Sequence, residues 1–393
     1  MTKPTATNTT APNMFSNDIS PPCLLNPYSI NVYYILQNYH HQLYNLVNMK
    51  KILFVLLSLF YFIFTSINTT FANDKKVGVF YDERFLLHDT GPSHPENPDR
   101  LIPIIRDLKN NDQILSNTIW PNFDIATVEE LNLAHSKEYI ELVDRQVSQL
   151  NNNRAYLSTG DTPISKDSNL VAKLAVGAGL EAVDQIMAGD LSSAFALVRP
   201  PGHHASSSTG MGFCIYNSVA VVARYLQKNY GLKRILIVDF DVHHGNGTQD
   251  IFYEDNTVFY FSVHQHPLFP GTGRPNEIGK GEGEGYTLNV ELSKGSGNNE
   301  VIKAFNSKLR PAMDKFRPEF VLVSAGFDAH LGDPLGQLNY TNEGYGIVAE
   351  ILQDISQKYA NGRILYMLEG GYNADNVSQS VQKILNVLIT SSQ

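Results

Sequence analysis

From Lys75 onward the chain alternates between two hydrophobic patterns. Short apolar runs rich in Val, Ile and Phe recur at Val77–Tyr81, Ala194–Val198, Ile235–Phe240, Val258–Val263, Tyr286–Val290, Phe320–Ser324 and Ile364–Leu368. Runs that are apolar at consecutive positions read as strands buried on both faces. Between several of them lie amphipathic stretches with the spacing of one helix face. Asn217–Asn229 is closed by Gly231, and Asn342–Tyr359 by Gly362. Glycine there suits the left-handed residue that ends a helix. Buried strands alternating with helices predict an α/β domain with a mostly parallel sheet covered on both faces. Residues 75–393 show no repeat and no low-complexity linker, so they read as one domain.

The N-terminal part breaks this pattern. Residues 1–48 are rich in Thr, Asn and Tyr without helical or strand period, and are expected to be disordered or non-native. Then come Met49-Lys50-Lys51, an apolar run from Ile52 to Phe64, and Thr70-Phe71-Ala72 before Asn73. A positive start, a short apolar core and small residues at a cut point make residues 49–72 a signal peptide, with Met49 favoured over Met1 as the start. The run falls short of the roughly 20 residues that span a bilayer. A periplasmic or secreted protein is therefore expected; the alternative is a membrane anchor formed by an uncleaved signal.

Composition adds little to the fold but narrows the partners. Hydrophobic residues make up 42% and charged residues 18%, an ordinary globular balance. The net charge of -9 comes without a Lys/Arg run, which argues against direct nucleic-acid binding. Removing residues 1–72 takes away three Lys and one Asp, which leaves -11. Cys23 and Cys214 are the only cysteines, so no disulfide framework is expected.

Four of the predicted strands run straight into titratable residues. Ala194–Val198 leads to Arg199-Pro200-Pro201-Gly202-His203-His204, and Ile235–Phe240 to Asp241-Val242-His243-His244. Phe320–Ser324 leads to Gly326-Phe327-Asp328, and Ile364–Leu368 to Glu369-Gly370-Gly371-Tyr372. Ligands of open α/β sheets bind outside the carboxyl ends of the strands, so these residues point to one site. Asp241 and His243, two apart, share a face of an extended segment and make half of a metal site. Asp328, two residues after Gly326 at a strand end, is the best third ligand. Alone, the Asp-x-Asp-x-His string also fits a solvated turn or a phosphate-transfer pair. Such a set with an open position activates water, and His203 and His204 offer the base and acid that amide hydrolysis needs. Tyr372 can donate to an oxyanion, although spacing alone would equally make it a core residue. Asp239, read as turned away from Asp241, could accept a histidine N–H and orient the ring.

At these residues the chain resembles the histone deacetylase superfamily, which includes acetylpolyamine amidohydrolases and acetoin-utilisation proteins. The resemblance covers about residues 76–390. It rests on His94-Pro95-Glu96-Asn97-Pro98-Asp99-Arg100, Arg199–Ala205, Gly212-Phe213-Cys214, Asp239–Gly247, Pro270-Gly271-Thr272-Gly273, Ser324–His330 and Leu368–Asn373 in that order. The Asn-Pro-Asp-Arg, Ser-Ala-Gly-Phe-Asp-Ala and Glu-Gly-Gly-Tyr forms look like the class II branch. The resemblance implies the arginase/deacetylase fold, a single domain with a central eight-stranded parallel sheet flanked by helices. It implies zinc on Asp241, His243 and Asp328, with Fe2+ or Co2+ as other ions the set could accept. It also implies potassium near Asp239, Ser262, the main-chain oxygens of Asp241 and His243, and the Val263 carbonyl. His204 would be the general base and acid, His203 its electrostatic partner and Tyr372 the oxyanion donor. Phe213, after Gly212, and Phe269 would wall the acyl-lysine tunnel, Asp161 would hold the substrate backbone, and Arg100 would lie beneath. Asn246 stands where class I members pair an aspartate with the catalytic histidine, so that histidine should be less basic.

The function expected is a zinc-dependent deacetylase of acetyl-lysine in proteins or peptides. The nearest alternative is an acetylpolyamine amidohydrolase, disfavoured by the short Phe85–His94 segment; others are a non-catalytic acyl-lysine binder and an arginase-like two-metal hydrolase. Gly279–Gly285 lacks the Lys-Ser/Thr of a phosphate loop and reads as a turn. Ala134-His135-Ser136 reads as structural, and His264 and His266 lack a third ligand for a second metal.

Overall fold

The computed structural model describes residues 27–69 and 76–392, in two units that divide at Asn73 and Asp74. In the first, a single helix, α1 (Pro27–Thr69), runs through residues 27–48 and on into the signal-like run. This corrects the expectation that residues 27–48 lack regular structure. Pro27 suits a first helical turn, and neither Gly nor Pro follows before Thr69. The apolar side chains, such as Tyr34, Leu36, Leu43, Val47 and Phe54, are spread around the helix and exposed, so no 3.6-residue stripe betrays it. Among the described residues no helix is long and apolar enough to cross a membrane. The expected cleavage site at residues 70–72, and Cys23, lie outside the described residues.

The second unit is built on an eight-stranded sheet. Its strands are β1 (Lys76–Phe80), β2 (Thr118–Ile119), β3 (Leu191–Ala196), β4 (Ile235–Asp239), β5 (Val258–Gln265), β6 (Thr287–Leu292), β7 (Phe320–Ala325) and β8 (Ile364–Leu368). They are ordered β2-β1-β3-β8-β7-β4-β5-β6, and every neighbouring pair is parallel. Each predicted apolar run becomes a strand, with ends displaced by up to three residues. The largest shift is at β3, where Leu197 and Val198 are buried just beyond the strand's end. Edge strand β2 was not predicted, because two residues cannot show a period.

Both faces of the central strands are covered. Leu236, Ile237, Val321, Leu322, Val323 and Leu365 have no exposed surface. Burying each such side chain contributes about 1.5–3 kcal/mol. Two sets of helices provide the cover: α3 (Ser168–Ala188) with α4 (Ser218–Tyr230), and α2 (Leu101–Lys109) with α6 (Asn342–Ala360) and α7 (Ala374–Ser392). A shorter helix, α5 (Asn246–Phe252), follows the loop after β4. As predicted, α4 ends on left-handed Gly231; at its start the Asn217 side chain accepts the Ala220 N–H. Helix α6 ends on left-handed Asn361, one residue before the predicted Gly362; a short polar side chain tolerates that conformation. An antiparallel hairpin, Ala155–Tyr156 with Pro163–Ile164, carries Asp161 in its turn.

Candidate active site

The four strands with titratable residues beyond their ends, β3, β8, β7 and β4, are consecutive in the sheet. Their loops bring Asp241, His243 and Asp328 together. His243 Nδ1 lies 3.1 Å from Asp241 Oδ1 and 3.1 Å from Asp328 Oδ2, and one ligand atom from each residue falls within 4.8 Å of the others. The backbone holds both carboxylates: Gly370 N–H donates to Asp241 Oδ2 at 2.9 Å and Val242 N–H to Asp328 Oδ1 at 2.8 Å. Two glycines make room. A Cβ on Gly326 would overlap Asp241 Oδ2, and one on Gly370 would overlap Asp328 Oδ2 and sit 2.6 Å from Asp241 Oδ2.

The charges of this cluster depend closely on one another. Burial and the Asp241 charge push the Asp328 carboxyl up to about 7. Burial opposes protonation of His243, but hydrogen bonds to Asp241 and Asp328 raise it to about 10. Against burial, His203 and His243 hold Asp241 well below the usual carboxylate range. Two carboxylates and an imidazole, all buried and with close approach left open by glycine, fit a divalent cation, which would balance the charge that a proton otherwise shares.

His203 and His204 stand beside this group with ring centroids 4.0 Å apart. His203 Nδ1 donates to Asp239 Oδ2 at 3.0 Å, the orienting role foreseen for Asp239. Asp239 and Asp241 nevertheless do not face apart: His203 Nε2 is 3.9 Å from Asp241 Oδ1. Residues two apart share a face of an extended segment, so the spacing itself puts Asp239 and Asp241 on one side, with Asp241 in the bend just beyond the strand. Burial would lower the His203 pKa, but Asp239 and Asp241 hold it well above its ordinary value. Its neighbour behaves oppositely. Burial, then the charges of His203 and His243, keep His204 well below its ordinary value. His204 Nδ1 donates to Asn246 Oδ1 at 2.8 Å, which leaves Nε2 as the ring's acceptor.

The other predicted residues surround these. Tyr372 N–H donates to Asp333 Oδ2 at 2.7 Å, and burial with the Asp328 charge keeps its hydroxyl protonated, well above the usual phenol range. The Arg100 guanidinium lies 4.9 Å from the Tyr372 ring centroid and donates to the carbonyls of Gly371 and Glu369. Phe213 meets Tyr372 edge-on at 6.2 Å. Phe269, 40% exposed, meets His204 at 5.2 Å and His243 at 6.2 Å. Asp161 Oδ1 accepts the Gly212 N–H at 2.7 Å, fixing a turn in which Gly212 and Phe213 are both left-handed. Asp239 pairs in register with Ser262, whose hydroxyl lies 2.8 Å from His264 Nδ1.

Comparison with known proteins identifies the family. Residues 94–388 match the histone deacetylase domain model. The chain belongs to the histone deacetylase family. It is 37% identical over 351 residues to the chloroplastic histone deacetylase 14 of Arabidopsis thaliana, covering 83% of this chain and 82% of that one. It is 36% identical over 300 residues to a probable deacetylase of Archaeoglobus fulgidus, covering 76% and 82%. The crystal structure of the HDA15 HD domain superposes with a TM-score of 0.76 at 39% identity, covering 81% of this chain and 89% of that one. The parallel sheet flanked by helices is thus the arginase/deacetylase fold, as the sequence resemblance implied.

Several buried histone deacetylase residues carry weight that the sequence reading did not assign. Glu96 accepts two bonds from Arg199, both at 2.8 Å, and one from Arg100 at 3.0 Å. Asp333 holds the Tyr372 peptide, and Tyr260 donates to Asp239 at 3.0 Å. Glu96 and Arg199 stood inside the family strings, but nothing local shows that residues 103 apart pair. Other strings keep their structural readings. His135 accepts the Asn217 N–H, His264 lies 3.0 Å from the Gly273 carbonyl, and Gly281–Gly283 forms a single turn of 3-10 helix. Among the described residues, one further group of metal-ligating types converges: His203, Cys214 and Glu369. Its members are engaged with Asp239, the Gly212 carbonyl, and the Gly202 and His203 amides.

Proposed function

We propose that this chain is a zinc-dependent deacetylase that hydrolyses the acetyl amide of acetyl-lysine in proteins or peptides. The supporting observation is the convergence of Asp241, His243 and Asp328 with a differently tuned histidine pair at neighbouring strand ends. Asp241, His243 and Asp328 would hold the zinc, which would supply Lewis acidity toward a water and the acetyl carbonyl. His204, neutral at rest, accepts the water proton on Nε2. Burial, then the charge on adjacent His203, keeps His204 a weak base, so it readily gives that proton to the departing lysine amine. Tyr372 donates its hydroxyl to the carbonyl oxygen as negative charge develops there. Phe213 and Phe269 flank the lysine stem, and the second carboxylate oxygen of Asp161 is available to a substrate amide. Arg100 acts from below by holding the Glu369 and Gly371 carbonyls, and Asp239 with Ser262 provides the potassium position.

Acetate release from an acyl-lysine peptide panel and from acetylspermidine tests the reading. Tyr372→Phe and His204→Ala should each lower kcat at least ~100-fold with metal content unchanged. Faster turnover of acetylspermidine would make the chain a polyamine amidohydrolase, and peptide binding without acetate release would make it a binder. We further propose export directed by residues 49–72: the mature N-terminus should lie near Asn73, and a full-length cytosolic product would refute it.

A further inference from the structure

The loop that presents His203 and His204 begins with two prolines, Pro200 and Pro201, which have no N–H to donate. Gly202 and His203 therefore supply its first backbone donors, and both go to a single side chain. Glu369 Oε2 accepts the Gly202 N–H at 2.6 Å and the His203 N–H at 3.1 Å. The next donor, His204 N–H, has only the Cys214 sulfur at 3.4 Å. The other oxygen of Glu369 accepts the Ser324 hydroxyl at 2.9 Å, at the end of β7. Its main chain is fixed as well: the N–H donates to the Ala325 carbonyl at 3.0 Å, and the carbonyl accepts from Arg100 at 2.7 Å. Glu369 is buried at the end of β8, three residues before Tyr372. One side chain thus ties the histidine loop, the tyrosine loop and the strand leading to Asp328 to one another.

We infer that Glu369 is a positioning residue, whose carboxylate sets the His203–His204 pair against the Asp241–His243–Asp328 group by anchoring the Gly202–His203 backbone. This rests on the proposed proton-transfer role of the pair. Displacing a proton-transfer group by about 1 Å is enough to cost on the order of 100-fold in rate. An amide can keep the same bonds: its oxygen accepts both N–H groups, and its nitrogen donates to Ser324 after the hydroxyl rotates.

The test compares the zinc-loaded parent with Glu369→Ala, Glu369→Gln and Ser324→Ala. Glu369→Ala should lower kcat about 100-fold while KM stays within about threefold and zinc content holds. Glu369→Gln should recover to within about fivefold of the parent, and Ser324→Ala, which removes one bond of three, should cost only a few-fold. The ring 15N resonances of His203 and His204 should shift in Glu369→Ala and return in Glu369→Gln. Parent-like kcat in Glu369→Ala, or a Glu369→Gln loss as deep as that of alanine, overturns the inference. Unmoved ring resonances overturn it whatever the rate does, whereas failure of the His204→Ala prediction with shifted rings removes only the proposed chemistry.

Discussion

Two buried carboxylate clusters lie close together in this molecule and are balanced in opposite ways. Glu96 is held by Arg199 and Arg100, and although burial would raise its pKa, those two cations lower it to about 2. Among the described residues Asp241 and Asp328 have imidazoles rather than arginines within salt-bridge reach, and Asp328 is pushed up to about 7. The first cluster carries its own permanent countercharge and braces loops. The second relies on protons shared between its carboxylates and imidazoles, a role that a bound cation would take over. Burial alone does not separate structure from chemistry here; the source of the countercharge does.

Removing one carboxylate from each cluster should therefore give opposite results in metal-free protein. Asp328→Asn should abolish tight metal binding and lower activity more than ~1,000-fold, since a Lewis acid is worth several kcal/mol. In chelator, the same variant should melt above the chelated parent, because the repulsion between two buried carboxylates is relieved. A lower melting temperature than that of the chelated parent would break the contrast. Glu96→Gln should do the reverse and destabilise the fold by about 3–5 kcal/mol in denaturant titration, because two buried arginines lose their partner.

A smaller effect follows from acid titration of the same glutamate. Its pKa falls from 4.5 unfolded to about 2 folded, so its stabilisation is complete above 4.5 and disappears as pH falls through about 2. That difference corresponds to about 3 kcal/mol. Urea unfolding between pH 5 and 2.5 should show the parent losing stability more steeply than Glu96→Gln; parallel curves would contradict the pairing. The smallest effect concerns His204. Asn246→Asp places a negative charge on its Nδ1 side, which favours the imidazolium and raises its pKa. The acid limb of kcat/KM should then move to higher pH, by less than about one unit where solvent reaches the pair; a shift to lower pH would show that His204 is not the base.

The two clusters also differ in how plainly the sequence announces them. Asp241 and His243 sit two apart, and Asp328 follows a strand and a glycine, so local spacing suffices to nominate all three. Glu96, Arg199 and Glu369 bond across gaps of 103 and 167 residues, which the sheet order β1-β3-β8 closes. The central strands were legible because burial on both faces makes them continuously apolar. Helix α1 was not, because apolar residues on every side leave no stripe to read. Edge strand β2 was too short to carry a pattern.

At Gly326 and Gly370 the protein keeps hydrogen where any other residue would place carbon, directly against the Asp241 and Asp328 oxygens proposed to hold the metal. A single added methyl at either position would silence the centre while every ligand remained in the sequence. Relatives that retain the Asp, His and Asp yet carry alanine at one of these two points should therefore be counted among the inert members, whatever their ligand lists promise.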